Sequence, residues 1–294
     1  MSVQQSIERP LAAQVAPPAP APHMRRIQPS RGFIPIDFAE LWRYRELLYR
    51  LVWRDVKGRY KQTFLGPFWA IFRPVVTMIL MAAVFGGLAG FKSGTDIPYP
   101  LFLYGGLLVW TYFSSAITGS SSSLLNYGGM LGKAYFPRLY APFASVTAPL
   151  VDFALALLVV FGLFGYYQRW PSWHVVFLPF FVVLAAIAGL GVGLWLCGIS
   201  VRYRDVPFTL PFVVQIWFYA TPVLYPVSKL PEPFSTLLVL NPMTSVVDGF
   251  KWSLLGITPP NIPVLVGSSL FALLITVAGL FFFRRTERTI VDLL

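Results

Sequence analysis

VVFLPFFVVLAAIAGLGVGLWLCGIS, residues 175–200, holds no charged side chain. A helix needs about 20 predominantly apolar residues to cross a hydrocarbon layer of about 30 Å. Moving outward, similar stretches run over Trp69–Leu88, Leu101–Leu125, Phe143–Tyr166, Phe208–Tyr225 and Val264–Phe283. A soluble core has no use for six such runs in 294 residues. The reading is an all-α polytopic membrane protein with six transmembrane helices in one domain, residues 66–294. Composition agrees: apolar residues make up 56% of the chain and charged residues 12%, against about 25% charged in soluble domains. The net charge of +11 does not point to nucleic acid. The basic residues sit at span ends, and no soluble domain remains to carry a binding surface. The single cysteine, Cys197, lies inside a span and cannot form an intrachain disulfide.

The basic residues also give an orientation. With both termini in the cytoplasm and six crossings, 19 of the 23 Lys and Arg fall on the inner side. Only Lys92, Arg169, Lys229 and Lys251 fall outside. Inner loops of membrane proteins carry such an excess, so this orientation is expected.

Residues 1–36 are rich in Ala and Pro, as in Pro17-Pro18-Ala19-Pro20, and lack the apolar core of a secretion signal. They are expected to be disordered. An amphipathic helix follows over residues 37–65, opened by Asp37 with Glu40 three positions on. At helical spacing Arg43, Arg50, Arg54, Lys57 and Lys61 form one stripe, and Leu41, Tyr44, Leu48, Leu51 and Val52 lie opposite. Such a helix rests in the membrane interface. Its basic side either contacts a partner or anionic lipid, or simply anchors the chain.

Gly66-Pro67 should turn the chain into the first span. The pairs Gly86/Gly90 and Gly189/Gly193 permit close helix approach, either within the bundle or at a dimer face. The stretch Phe208–Tyr225 is unusual. Pro207, Pro211, Pro222 and Pro226 punctuate it, and Phe208, Phe212, Gln215 and Tyr219 share a face. That face is either a pathway wall or a packed interior. Two apolar pieces too short to span, Phe234–Leu240 and Met243–Leu255, read as short re-entrant helices dipping into the outer leaflet.

Catalytic signatures are missing from the sequence. Gly128-Gly129-Met130-Leu131-Gly132-Lys133 fails as a phosphate loop, because Tyr127 stands where its first glycine belongs and Ala134 follows the lysine. His23 and His174 are far apart, and with one cysteine they make no metal cluster. Arg73 and Asp152 sit at span edges. They either pair with each other or snorkel separately to the interface.

The stretch RDVKGRYKQTFLGPFW, residues 54–69, closely resembles the signature of permease subunits of bacterial polysaccharide-exporting ABC transporters. KAYFPR (133–138), RYRD (202–205) and NPM (241–243) match the same family in the same order. The resemblance covers about residues 38–294. It implies six spans, a homodimer in the bacterial inner membrane, and two separate ATP-binding cassette subunits that hold ATP and Mg. No cofactor is expected in this chain. It also implies that the loop with Lys133, Tyr135, Phe136 and Arg138 couples to the ATPase, and that the amphipathic helix gates the cytoplasmic interface.

The substrate implied is a lipid-linked glycan such as O-antigen. Its pyrophosphate suits the cluster Arg43, Arg50, Arg54, Lys57, Arg59 and Lys61, since a guanidinium can hold phosphate oxygens in pairs. Trp69, Phe72, Trp110, Tyr112, Phe113, Phe212, Gln215, Trp217 and Tyr219 are expected to line the path of the sugar polymer. Aromatic faces grip sugars without a fixed hydrogen-bond pattern. The alternatives are a permease of the same architecture for a small amphiphile, or a membrane transferase using Asp205.

Overall fold

The computed structural model describes residues 38–61, 63–131, 137–227, 238 and 241–290. The Ala/Pro-rich stretch, Asp37 and most of Phe234–Leu240 therefore lie outside the described residues, as do the expectations that fall on them. What is described is helical. Two short helices, α1 (Phe38–Arg43) and α2 (Arg45–Tyr60), replace the single amphipathic helix expected over 37–65. Tyr44 interrupts them, with φ −95° and ψ 15°. The backbone turns extended at Lys61, and Gly66 adopts φ +51°. The helix thus ends before Gly66-Pro67, and the left-handed glycine makes the turn into the bundle.

Next come α3 (Phe68–Met81), which winds on as a wider π-type turn over Ala82–Leu88, α4 (Tyr99–Ser121) and α5 (Ser123–Leu131). They are followed by α6 (Tyr140–Thr147), α7 (Pro149–Tyr166) and α8 (Leu178–Arg202), the last entered through a 3₁₀ turn at Trp173–Phe177. The chain closes with α9 (Val206–Ala220), α10 (Pro242–Leu255) and α11 (Ile262–Ile290).

Five of these stretches are long and apolar enough to cross a membrane: Phe68–Leu88, Tyr99–Ser121, Tyr140–Tyr166, Trp173–Arg202 and Ile262–Glu287. The sixth apolar stretch is helical only over the 15 residues of α9. At about 1.5 Å per residue that falls short of a full crossing. The chain breaks at Thr221-Pro222, where the proline has no backbone N–H to continue the helix.

The centre of the bundle is α4. Its most apolar window is 78% buried, against 11% for the first span. Leu103, Tyr104, Val109 and Phe113 on it have no exposed surface, and the Tyr104 hydroxyl donates to the Ala156 carbonyl at 2.9 Å. Gly189 and Gly193 seat α8 on this helix. A methyl added at Gly193 would fall 2.5 Å from the Ser120 side chain, and one at Gly189 would fall 3.1 Å from Ala116. This glycine pair thus packs helices within one subunit. On its other side α8 meets α11, where Trp195 stacks on Phe282 with centroids 4.5 Å apart.

Helix α10 is the second of the two pieces too short to span. It packs against α4, α8 and α11 and is buried along most of its length. Asn241 caps its start by accepting from Met243 N at 3.1 Å, and Gly256 closes it with φ +68°.

Candidate functional site

Helix α2 packs chiefly on α6, burying Leu51 against Tyr140, Ala141 and Ala144. The basic residues of the stripe are all exposed, but they have different partners. Arg43, Lys57 and Lys61 are exposed, with the Lys57 ammonium 5.7 Å from the Trp53 ring centre. Arg50 pairs with Glu46 at 2.8 Å, and that bond holds the Glu46 carboxyl below its usual range. Arg54 pairs with Asp55 at 3.0 Å and lies over the Tyr127 ring at 4.0 Å. The Tyr127 hydroxyl donates to the other Asp55 oxygen at 2.6 Å. Burial and that carboxylate both raise its pKa, burial most, so it stays a neutral donor. This cluster fastens α2 to α5.

Arg59 turns inward. Its Nη1 bonds Asp152 in the first turn of α7, and the Tyr60 hydroxyl donates to the second oxygen of the same carboxylate. Burial first, then Asp152, push the Tyr60 hydroxyl upward. The two charges at span edges therefore do not pair with each other. Asp152 is held by the end of α2, and Arg73 sits 5.6 Å from the face of Trp69.

These residues surround a cavity of about 450 Å³ between α2, α3, α4 and α7. Arg59, Arg73 and Asp152 supply its charges, and Trp69, Tyr112 and Phe153 its aromatic walls. Two guanidinium groups and one carboxylate leave the lining with one surplus positive charge. A polar, cationic mouth over an apolar floor suits an anionic headgroup on an apolar or sugar-bearing body.

The residues expected along a polymer path separate into three places. Trp69 and Phe72 are half-exposed on α3, their rings 5.6 Å apart edge to face. Trp110, Tyr112 and Phe113 are buried within the subunit. Trp110 and Phe113 meet Trp217 at 6.3 and 5.2 Å. The Tyr112 hydroxyl donates to the Val146 carbonyl at 3.3 Å. Phe212, Gln215 and Tyr219 stay exposed together on one face of α9, beside Phe208. Lys133, Tyr135 and Phe136 lie outside the described residues. Arg138 donates to the backbone carbonyl of Glu287 on α11. Asp205 is exposed at the start of α9.

A second polar centre went unread in the sequence. Lys251 on α10 is fully buried. Its ammonium donates to the carbonyls of Pro222 and Val223 at 2.8 and 2.9 Å and lies 3.8 Å from the centre of the Phe102 ring. Beside it Trp217 donates to Asn241 at 3.0 Å, and Asn241 donates to the Thr221 hydroxyl at 2.9 Å. These groups satisfy the backbone freed where α9 breaks. Such irregular backbone is tolerated at membrane depth only when protein or water serves it. The signal was an ionisable residue inside an apolar piece, which in a membrane segment marks a specific partner.

Among the described residues no three His, Cys, Asp or Glu side chains come together as a metal site. Residues 46–255 match the model of the ABC-2 type transporter family. The chain is 34% identical over 215 residues to the O-antigen export system permease protein RfbA of Myxococcus xanthus, covering 72% of this chain and 81% of that one. It is 27% identical over 208 residues to the protein of the same name from Klebsiella pneumoniae, covering 70% and 79%. With the polysialic acid transport protein KpsM of Escherichia coli it shares 22% over 200 residues, 66% and 76% of the two chains. A helical bundle of membrane-spanning length and a family match over most of its residues make this chain a member of the ABC-2 type transporter family, a transport permease.

Proposed function

We propose that this chain is the permease subunit of an exporter for a lipid-linked, O-antigen-like polysaccharide in the bacterial inner membrane. The observation that carries the reading is the 34% identity to an O-antigen export permease over 72% of the chain. It acts as a homodimer with two ATP-binding cassette subunits, which bind ATP and Mg and supply the energy. Both termini face the cytoplasm, with α9 and the apolar residues after it making the sixth crossing, and α1, α2 and the cleft lie at the inner leaflet.

In this reading the lipid carrier's pyrophosphate reaches the cleft beside Arg59 and Arg73, with the other basic residues of α2 drawing it in from the headgroup layer. The polymer then slides past Trp69 and Phe72 and the exposed face Phe212, Gln215 and Tyr219, brought together between two subunits. Trp110, Phe113 and Trp217 give that wall a rigid backing, and Tyr112 closes the floor of the cleft. The segment Lys133–Arg138 docks on the ATPase. Because Arg138 also holds α11 and Tyr127 holds α2, movement of that segment reaches both ends of the chain.

The test is to purify the permease with its ATPase partner and identify the bound glycolipid by mass spectrometry. A lipid-linked polysaccharide is the expected find, and deleting the gene should leave that glycolipid stranded on the inner leaflet. A small amphiphile as the co-purified ligand, with normal surface polysaccharide in the deletion strain, would overturn the reading.

A further inference from the structure

We infer that Asp152 is a built-in stand-in for the substrate's phosphate. It holds Arg59 and Tyr60, and with them the end of α2, against α7 until a phosphate in the cleft displaces it. This rests on the reading that the cleft receives an anionic lipid headgroup. The geometry is that of a replaceable bond rather than a sealed one. The Arg59 and Asp152 side chains retain 32% and 30% of their surface, and both line the 450 Å³ cavity. Arg59 meets the carboxylate through one nitrogen, Nη1, rather than as a two-pronged fork. A diphosphate esterified at both ends still offers four non-bridging oxygens and two negative charges, so it can fill the planar fork that the carboxylate leaves half used. Arg73 lines the same cavity, its guanidinium over Trp69. It can attract the phosphate before Arg59 lets go.

The mechanical consequence follows from the chain path. Arg59 and Tyr60 are the last two residues of α2, just before the backbone becomes extended at Lys61. Transfer of Arg59 from Asp152 to the phosphate frees this end of α2 from α7, while Leu51 keeps the middle of the helix on α6. The cleft then opens on the side where a lipid must enter, and the signal passes along α2 to Tyr127 and α5, next to the segment expected to meet the ATPase. The bond thus couples occupancy of the cleft to release of the gate.

The test uses the permease–ATPase complex in lipid nanodiscs. Its probes are polyprenyl diphosphate, inorganic pyrophosphate, polyprenol and phosphatidylglycerol. Binding, basal ATPase and hydrogen exchange at the Lys57–Lys61 turn of α2 are measured. For the wild type, polyprenyl diphosphate should bind and speed exchange at that turn several-fold, and polyprenol should do neither. A response to inorganic pyrophosphate would assign the site to phosphate alone, and one to phosphatidylglycerol would assign it to bulk lipid. Asp152→Asn should bind the diphosphate about tenfold tighter, the equivalent of ~1.4 kcal/mol. It should also raise basal ATPase and show fast exchange without the probe. Arg59→Met should likewise free the turn but weaken binding about tenfold. A purely structural bridge moves both variants the same way. Equal losses in both, with exchange unchanged by the probe, would overturn the latch while leaving the headgroup reading intact. Failure of the wild type to bind any phosphate-bearing probe would overturn both.

Discussion

The two polar joints of this bundle differ in one respect that decides what each can do. At the basic end, Arg59 and Asp152 join α2 to α7 with about a third of each side chain still exposed. At the other, Lys251 joins α10 to the broken end of α9 with none of its surface exposed. A half-exposed ion pair contributes little to stability, ~0–1 kcal/mol, because water and ions compete for both partners. A fully buried amine has no such alternative, and removing it strands polar groups where nothing replaces them. The exposed joint can therefore be exchanged and the buried one cannot. The lesson is that burial, rather than the mere presence of a charge pair, separates a switch from a rivet.

The buried joint should give the largest effect. Lys251→Met would leave the Pro222 and Val223 carbonyls without their donor and should cost ~2–6 kcal/mol, the sum for two unsatisfied buried acceptors. The measurement is the thermal unfolding of the purified complex, and a shift of less than a degree would break the comparison. Gly106 sharpens it further, since a methyl there would lie 2.6 Å from Lys251 Cε and 3.1 Å from the Val223 carbonyl oxygen. Gly106→Ala should destabilise by ~1–3 kcal/mol through overpacking.

The exchangeable joint should behave in the opposite sense. Asp152→Asn should move the unfolding temperature little, by the equivalent of less than about 1 kcal/mol, while altering basal ATPase. A large loss of stability with unchanged ATPase would make it a second rivet. On α9, Phe212→Ala and Gln215→Ala should leave assembly intact and change polymer export, since both side chains are exposed. Export assayed by surface polysaccharide gel would decide this, and normal chain length and amount in both variants would remove that face from the path. The smallest effect on stability is expected for Tyr135→Ala with Phe136→Ala, which should uncouple ATP hydrolysis from export without loss of complex. Unchanged export at unchanged hydrolysis would count against docking there.

Much of the bundle was legible because long uncharged runs admit few explanations. The amphipathic stretch and the glycine pair of α8 were equally plain, each being a local pattern. The polar joints were not, because their partners lie far apart in the chain. Arg59 meets a carboxylate 93 positions away, and Lys251 serves carbonyls 28 and 29 positions back. Hydropathy also misleads about position in the bundle. The second span has the lowest mean hydropathy of the five, 1.3, yet it is the most buried. Lipid-facing helices need the apolar surface, and a central helix such as α4 can carry Tyr104, Tyr112 and several serines against its neighbours. For the same reason Trp110 and Phe113 read as path residues in the sequence, although the fold encloses them. The shortness of α9 was signalled by Pro222 and Pro226, but counting apolar residues cannot show where the helix stops.

The most direct test is a cryo-EM structure of the assembled complex with its co-purified glycolipid. The account predicts phosphate density between α2 and α7 against Arg59, with Arg59 withdrawn from Asp152 and Lys251 still bonded to Pro222 and Val223. A glycolipid seated elsewhere with the Arg59–Asp152 bond intact, or a displaced Lys251, would contradict it.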